Sequence, residues 1–457
     1  MMDNLLLFFT KINDILWSSV LLFLLLGTGL YYTFKLKFIQ IRKFKEGLKR
    51  VFGGINLKGK AAGEDGMSSF QALATAIAAQ VGTGNLAGAA TAIVSGGPGA
   101  IFWMWVSAFF GMATVYAEAV LGQLFKTKVD GEIVGGPAYY IKGGLKNKKL
   151  ASFLAGFFAI SCILALGFMG NIVQANSISN AFSNAFKISP VLVGVIVGAL
   201  SGFVFFGGMK RIAAVTEKIV PIMAALYILA SIIIIGINWT EIIPAFKAII
   251  VGAFNPQAVM GGALGITVRE VVRYGVSRGL FSNEAGMGST PHAHAVAKVK
   301  HPSEQGTVAI ISVFIDTFII LTLTALVILT SGALEVTGLQ GIAVTQKAFE
   351  LTLGSLGQGF IAICLLFFAF STIIGWYFFG ECNIKYLFGK KGLTPYRIIV
   401  IALVVLGSTL KVDLVWQLAD FFNGIMVIPN LIGILVLSGL VFKTMNDYEK
   451  IKNTLEM

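Results

Sequence analysis

The stretch Gln71-Ala-Leu-Ala-Thr-Ala-Ile-Ala-Ala-Gln80-Val81-Gly82-Thr83-Gly84-Asn85-Leu86-Ala-Gly88 decides the fold. It lies in an apolar run at 68–94, long enough to cross about 30 Å of hydrocarbon, yet carries Gly-x-Gly-Asn near its middle. A helix interrupted there leaves N–H groups of one half and C=O groups of the other without partners in a water-poor setting. Such groups hold ions and polar substrates, provided the interruption is real.

The surrounding chain sets the environment. Its 457 residues are 56% hydrophobic and 12% charged, against about 25% charged in soluble domains, which excludes an ordinary soluble enzyme. Runs of crossing length occur near 15–34, 68–94, 98–125, 151–178, 190–208, 212–237, 256–281, 306–330, 356–384, 395–410 and 414–442. They predict an all-α polytopic protein with about 11 transmembrane helices in a lipid bilayer. The first run has no small-residue cleavage site and reads as a retained helix. Glycine, at 53 residues, suits close-packed or interrupted membrane helices.

The net charge of +13 follows the loops. With the N-terminus outside, 30 of the 35 Lys and Arg fall in cytoplasmic segments, and Lys11, Lys187, Lys247, Lys347 and Lys411 remain outside. This positive-inside bias predicts an odd number of crossings and a cytoplasmic C-terminus, and it explains the charge without a nucleic-acid partner. Cys162, Cys364 and Cys382 have neither metal-ligand spacing nor a disulfide pattern.

Eleven crossings divide into a leading helix with its basic loop (1–64), two blocks of five (65–237 and 238–442) and a cytoplasmic tail (443–457). Because five is odd, the second block is inverted. Transporters built this way hold substrate and ion at the midplane, where the first helix of each block is broken. In the second block that helix reads Gly261-Gly262-Ala263-Leu264-Gly265-Ile266-Thr267, which predicts the matching break. A single glycine cluster also suits a close-packed helix face; recurrence in both blocks, with polar Gln80, Thr83 and Asn85 at one of them, favours the break.

A positive half-helix end can hold a carboxylate, and freed carbonyls can ligate Na⁺. No Lys or Arg lies at mid-depth outside the seventh run, so backbone N–H groups are expected to hold a substrate carboxylate, and an amino acid is the implied substrate. The substrate-site candidates are Gln80, Thr83, Gly84, Asn85, Gly262, Gly265 and Thr267 at the breaks, Phe168 and Asn171 on the fourth run, and Thr372 and Trp376 on the ninth. Phe168 and Trp376 are expected to limit side-chain size. The hydroxyls of Ser371 and Thr372 either complete a sodium site or bond back to their own helix, and Trp376 either lines the pocket or simply packs.

Asp316 lies ten residues into an otherwise apolar run, where an ionisable group is costly; it either tunes cation coupling or pairs with a neighbour. Arg269, Glu270, Arg273 and Arg278 are expected just cytoplasmic of the second break. Arg269 and Arg273 share a face and suit an inner gate closing on Glu118 or Glu284, or else are solvated charge. Gly54-Ile-Asn-Leu-Lys-Gly59-Lys60 lacks the Ser or Thr and the strand of a phosphate-binding loop. His292-x-His294 reads as a solvated loop pair, and with His301 in the same loop no mid-depth base exists for a membrane hydrolase.

Three blocks carry a family resemblance. Gly96-Gly97-Pro98-Gly99-Ala100-Ile101-Phe102-Trp103-Met104-Trp105, Gly135-Gly136-Pro137-Ala138-Tyr139-Tyr140 and Arg278-Gly279-Leu280-Phe281-Ser282-Asn283-Glu284-Ala285-Gly286-Met287-Gly288-Ser289 resemble signatures of the sodium:alanine (alanine/glycine:cation) symporter family. The resemblance implies a LeuT-like inverted-repeat fold and Na⁺-coupled uptake of alanine and glycine, with Na⁺ as coupling ion and no other cofactor. It implies a sodium site formed by Ala78, Val81, Phe368, Ser371 and Thr372. Ala79-Gln80 stands where some relatives of the fold have Asn-Ala, so the ligand set of a second sodium site is not matched. An H⁺-coupled symporter with Asp316 as carrier, and a passive channel, are the alternative readings.

Overall fold

The computed structural model describes residues 2–53, 66–260, 266–410 and 412–456. The leading helix α1 (Leu5–Lys35) is longer than its apolar run. Its polar start is anchored to the last membrane helix, where Asn13 donates to the Gln417 side chain at 2.7 Å and Trp17 to the Asp420 carbonyl at 3.2 Å. A short surface helix α2 (Phe44–Phe52) follows. Next, α3 (Ser69–Gln80) starts at a capping box in which Ser68 and Gln71 satisfy each other's backbone N–H groups. It stops at Val81, which is extended, and the chain resumes as α4 (Gly84–Gly96), bent by 44° from α3. The predicted break is therefore present in the first repeat.

The first half continues through α5 (Ala100–Leu124), a hairpin of β1 (Thr127–Val129) and β2 (Glu132–Val134), α6 (Lys148–Phe186), α7 (Pro190–Phe205) and α8 (Gly208–Ile237). The second half contains α9 (Ile242–Phe254), α10 (Val268–Asn283), α11 (Pro291–Ala295), α12 (Pro302–Thr330), α13 (Ile342–Leu353), α14 (Ser355–Phe388), α15 (Leu393–Gly407), α16 (Val412–Val436) and α17 (Ser438–Glu456). Among the described residues seven helical stretches are long and apolar enough to span a membrane, and the bent α3–α4 pair makes eight. One of the seven, Ser355–Gly407, contains both α14 and α15. With α7 and the α10–α11 pair, the elements are compatible with eleven crossings. Leu192, Ile196, Ile222 and Ile233 on α7 and α8 are exposed and form lipid-facing surface.

The seventh apolar run does not form one helix. Its first part belongs with α9, a segment packed on the start of α5, where Trp103 donates to the Ala253 carbonyl at 3.2 Å and Gly99 meets the backbone of Gly252. The membrane helix α10 begins only after Thr267, an extended residue that forms a second capping box with Glu270. Gly261 to Gly265, including the candidates Gly262 and Gly265, lie outside the described residues, as does the loop at 54–60. Mean hydropathy centres this crossing too early because α10 starts with charged residues.

Close packing positions the site. Gly375 of α14 lies so near α3 that a Cβ there would sit 2.9 Å from the Ala79 Cβ and 3.1 Å from its Cα. At the other end of the chain, α17 docks on α2: Glu46 accepts from Tyr448, from Lys452 at 3.2 Å and from Arg50 at 3.3 Å.

Gly375→Val should lower the thermal stability of the purified protein by about 1–3 kcal/mol through overpacking, whereas Gly27→Ala, with nothing within 4 Å of its Cβ position, should leave the melting temperature unchanged. Burial raises the Glu46 pKa, but the bonds from Tyr448 and Lys452 and the charge of Lys43 outweigh it and hold the carboxyl below its usual range. A depressed folded-state pKa contributes stability above the usual carboxylate pKa, lost as pH falls through the lowered value. Melting temperature should therefore decline on acidification below about pH 5, and less so in Glu46→Gln.

Candidate substrate and cation site

The broken α3–α4 helix meets α14 at a cluster of oxygens. The Thr372 hydroxyl donates to the Ala78 carbonyl at 2.9 Å, with the Val81 carbonyl at 3.3 Å and that of Phe368 at 3.0 Å. Ser371 bonds to the Phe368 carbonyl at 2.8 Å and reaches Ala78 at 3.4 Å. These hydroxyls bond back to their own helix and also reach the carbonyls of the break. Ala78, Val81, Phe368, Ser371 and Thr372 thus bring five neutral oxygens together, all buried. A hard cation takes such donors.

The freed N–H groups of this break are already bonded. Gly82 donates to the Asn85 side chain at 2.9 Å, and Thr83 donates through its N–H and its hydroxyl to the Gln174 side chain at 3.1 and 2.5 Å. Side-chain oxygens of Asn85 and Gln174 therefore stand where a carboxylate would bind.

A second break lies at Glu284–Thr290, between α10 and α11, while the stretch at 261–265 is outside the described residues. Glu284, Gly286 and Gly288 have φ of +58°, +89° and +80°, a left-handed path that glycine adopts without penalty and that ends the helix. The two breaks touch: a Cβ on Gly84 would meet the Ser282 Cα at 2.9 Å, and Gln80 donates to the Asn283 carbonyl at 2.7 Å. Glu118 of α5 accepts the freed N–H groups of Gly286 and Gly288 at 3.2 and 3.0 Å, and Asn430 of α16 donates to the same carboxylate at 2.5 Å. Glu284 accepts from Ser289 at 2.5 Å and from the Trp376 indole. Glu118 and Glu284 thus hold the unwound segment and do not face the arginines. A sequence signal for this break existed, since Gly286-Met287-Gly288 repeats the Gly-x-Gly of 82–84.

Asp316 joins both breaks. Its carboxylate accepts from Asn85 at 2.6 Å, from Ser282 at 3.0 Å and from Thr317 at 2.8 Å. Among the described residues no Lys or Arg pairs with it.

A recess of about 320 Å³ opens beside this centre, lined by Thr10, Thr91, Tyr274, Arg278, Trp416 and Gln417 among others. At its base Arg278 donates twice to Asp420 of α16, at 2.9 and 2.5 Å, with Trp416 stacked 4.9 Å from the guanidinium. Phe281 bridges Trp416 and Trp376, with ring centroids at 4.9 and 5.6 Å. Arg273 pairs with Asp14 of α1, and Arg269 is exposed. These arginines therefore stand on the face that carries the chain's start. Arg269 and Arg273 lie on α10, ahead of the unwound segment at 284–290, and Glu118 and Glu284 bond backbone and neutral side chains instead.

Other candidates disperse. Thr267 is an exposed helix cap, far along α10 from the break. Phe168 packs on Tyr396 at 5.9 Å, and it is Gly170 whose Cα abuts Trp376. Asn171 donates to its own helix at Gly167, 3.0 Å, while its oxygen and that of Gln80 are buried without a protein partner. His292 and His294 are buried, not solvated. His292 stacks on Phe379 and bonds Asn383 at 2.9 Å, because α11 packs on α5 and α3 rather than lying in a solvated loop.

Two facing broken helices, the first of which meets α14 at a cluster of oxygens of the kind a hard cation takes, define a multi-span secondary transporter of LeuT-like fold. The fold is similar to that of MhsT crystallised with L-phenylalanine, with a TM-score of 0.61 and 14% identity over 82% of this chain and 90% of that one. Residues 2–456 match the model of the sodium:alanine symporter family, and the chain belongs to that family, whose members are transporters and not enzymes. It is 45% identical to the probable sodium/glutamine symporter GlnT of Bacillus subtilis (strain 168), over 96% of this chain and 90% of the relative. It is 43% identical to the sodium/alanine symporter AgcS of Methanococcus maripaludis, over 96% of each chain.

Removing one partner of the buried Arg278–Asp420 pair leaves an uncompensated charge. Asp420→Leu should lower stability by about 3–5 kcal/mol, while the double variant Arg278→Met/Asp420→Leu should regain most of it; thermal unfolding of the purified proteins reads the difference.

Proposed function

We propose that this protein carries a small neutral amino acid, alanine or glycine, into the cell together with Na⁺ by alternating access, its N-terminus outside and its C-terminus cytoplasmic. The observation that carries the reading is the convergence of the Ala78, Val81 and Phe368 carbonyls with the Ser371 and Thr372 hydroxyls at the contact of α3 with α14. Na⁺ bound there ties the broken helix to α14, so cation binding biases the same element that holds the substrate. The substrate carboxylate takes the N–H groups of Gly82 and Thr83, displacing the Asn85 and Gln174 oxygens. Its ammonium suits the unpaired oxygens of Gln80 and Asn171, two buried acceptors that lack a donor.

In this topology the recess is the outer entrance, and the Arg278–Asp420 pair under Trp416 is its gate. Trp376, held by Glu284 and abutting Gly170, limits the room for a substrate side chain. Names of relatives at 45% and 43% identity, a sodium/glutamine and a sodium/alanine symporter, support a neutral amino acid as cargo.

In proteoliposomes an inward Na⁺ gradient should drive alanine uptake, with leucine competing poorly; uptake unchanged when choline replaces Na⁺ would falsify the coupling. Thr372→Ala should raise the Na⁺ concentration for half-maximal uptake by about tenfold, which corresponds to about 1.4 kcal/mol. An unaltered Na⁺ activation curve would remove Thr372 from the site.

One observation favours a second reading. Asp316 is fully buried and accepts only from the neutral groups of Asn85, Ser282 and Thr317, so protonation could exchange for a cation at this position. H⁺ coupling through Asp316 predicts uptake driven by a pH gradient at fixed Na⁺, abolished in Asp316→Asn. Sodium coupling alone predicts no such response.

A further inference from the structure

The last C=O groups of any helix lack partners within it, and α11 is only five residues long. Its partners come from α5. The Gln123 side-chain N–H₂ donates to the carbonyl of His294, to that of Ala295 at 3.2 Å and to that of Ala297 at 2.9 Å. Lys126 donates to the Gln123 oxygen at 2.7 Å and to the Ala297 carbonyl at 3.2 Å. The lysine thereby fixes which end of the amide faces α11, so that Gln123 presents its donors there. A Cβ on Gly122 would lie 3.0 Å from the Pro291 carbonyl, which places α11 directly on the α5 backbone.

The same end of α11 is joined to the start of α3. Met67 donates to the Val296 carbonyl and accepts from the Lys298 N–H, both at 3.0 Å, in a parallel bridge centred on Met67 and Ala297. Two residues on, the Ser69 hydroxyl donates to the Gln305 oxygen at 2.8 Å, and the Gln305 N–H₂ donates to Nδ1 of His294 at 2.8 Å. Since α3 ends at the first break and α11 starts after the second, the two helices meet at the breaks and again at the bridge. In the proposed topology the bridge is on the cytoplasmic side, opposite the recess.

This closed arrangement leaves polar atoms unsatisfied. An imidazole that accepts at Nδ1 carries its proton on Nε2, and in His294 that N–H is buried without a protein partner, as is the Thr290 hydroxyl at the other end of α11. Two such atoms beside one short helix favour a second position in which water reaches them. Gly286 and Gly288, just ahead of α11, supply the hinge.

We propose that the Met67–Ala297 bridge is the cytoplasmic gate of the transporter and that Gln123 is the positioning residue that holds it shut. Release of the Gln123 clamp lets α11 swing away from α3 and opens the breaks to the cytoplasm. The proposal rests on the reading of the paired breaks as the site of a transported amino acid. The bonds of this gate run mainly from amides and a hydroxyl to neutral acceptors, which water replaces when the helices part. Opening therefore leaves no buried charge unpaired, in contrast to separating Arg278 from Asp420.

The test uses the full chain with Cys162 and Cys382 replaced by Ala and the buried Cys364, near the outer start of α14, retained. Bridge partners lie about 5 Å apart, within reach of a disulfide, so Met67→Cys/Ala297→Cys should crosslink on oxidation. In proteoliposomes the crosslinked protein should lose Na⁺-driven alanine uptake by about tenfold or more and regain it on reduction. Alanine should still raise its melting temperature, because the outer entrance is untouched. A pair that does not crosslink, or a crosslinked protein that transports as fast as the reduced one, overturns the proposal. Absence of Na⁺-driven alanine uptake in the reduced protein strikes the proposed function instead, and the gate is then read without transport. Gln123→Glu keeps the shape and the Lys126 contact but has no donor for the α11 carbonyls. With Ala297→Cys as reporter, Gln123→Glu and Gln123→Leu should each speed labelling by an impermeant maleimide, applied to the cytoplasmic face of inside-out vesicles, about tenfold. Labelling of Cys364 should stay unchanged. Equal rates at Ala297→Cys with and without the Gln123 substitutions overturn the proposal, as does a matching rise at Cys364, which reports general loosening.

Discussion

Within hydrocarbon every backbone N–H and C=O needs a partner, and a continuous helix provides one for each. Two helices of this protein decline that solution at the same depth, and the surrounding structure is arranged to meet the debt locally. Around the first break, Asn85 and Gln174 take the N–H groups, and the hydroxyls of Ser371 and Thr372 take the carbonyls. Around the second, Glu118 takes two N–H groups and Asn430 a carbonyl. These partners come from α5, α6, α14 and α16, so the breaks fix where four other helices must stand.

The partners differ in kind, and the difference has functional content. At the first break they are neutral side chains that a substrate or an ion can replace without leaving a buried charge. At the second, a carboxylate is committed to the backbone and backed by an amide, an arrangement that is costly to undo. The first break is thus the exchangeable side of the site and the second its more rigid wall. Asp316, accepting from Asn85 and Ser282, connects the two.

Close helix contact makes this geometry reproducible. Gly375 against Ala79 lets α14 approach the broken helix with no side chain between, and Gly170 lets α6 seat the Trp376 ring of α14 against its backbone. In lipid, where apolar burial between helices gains little, such backbone-level contact and polar bonding hold helices together. Above the centre, the ring wall of Phe281, Trp416 and Trp376 and the Arg278–Asp420 pair separate the recess from the breaks.

Much of this was legible in the sequence. Hydropathy located nearly every crossing because lipid demands about twenty apolar residues, and the first break was visible as Gly82-Thr83-Gly84-Asn85 inside such a run. Hydropathy centres the seventh crossing at Gly261–Gly265, which lie outside the described residues. The break at Glu284–Thr290 sits in a polar stretch that is buried only because α5, α14 and α16 enclose it. The same centring places Arg269 and Arg273 after the break, whereas they precede Glu284–Thr290, and makes His292 and His294 read as solvated, whereas both are buried. Sequence by itself determined the membrane class, the inverted-repeat architecture and the broken first helix, since these depend on length, polarity and glycine along one segment. Which carbonyls meet Ser371 and Thr372 and what Glu118 and Asp316 bond were decided by tertiary structure alone, because each depends on residues from distant helices brought within hydrogen-bond reach.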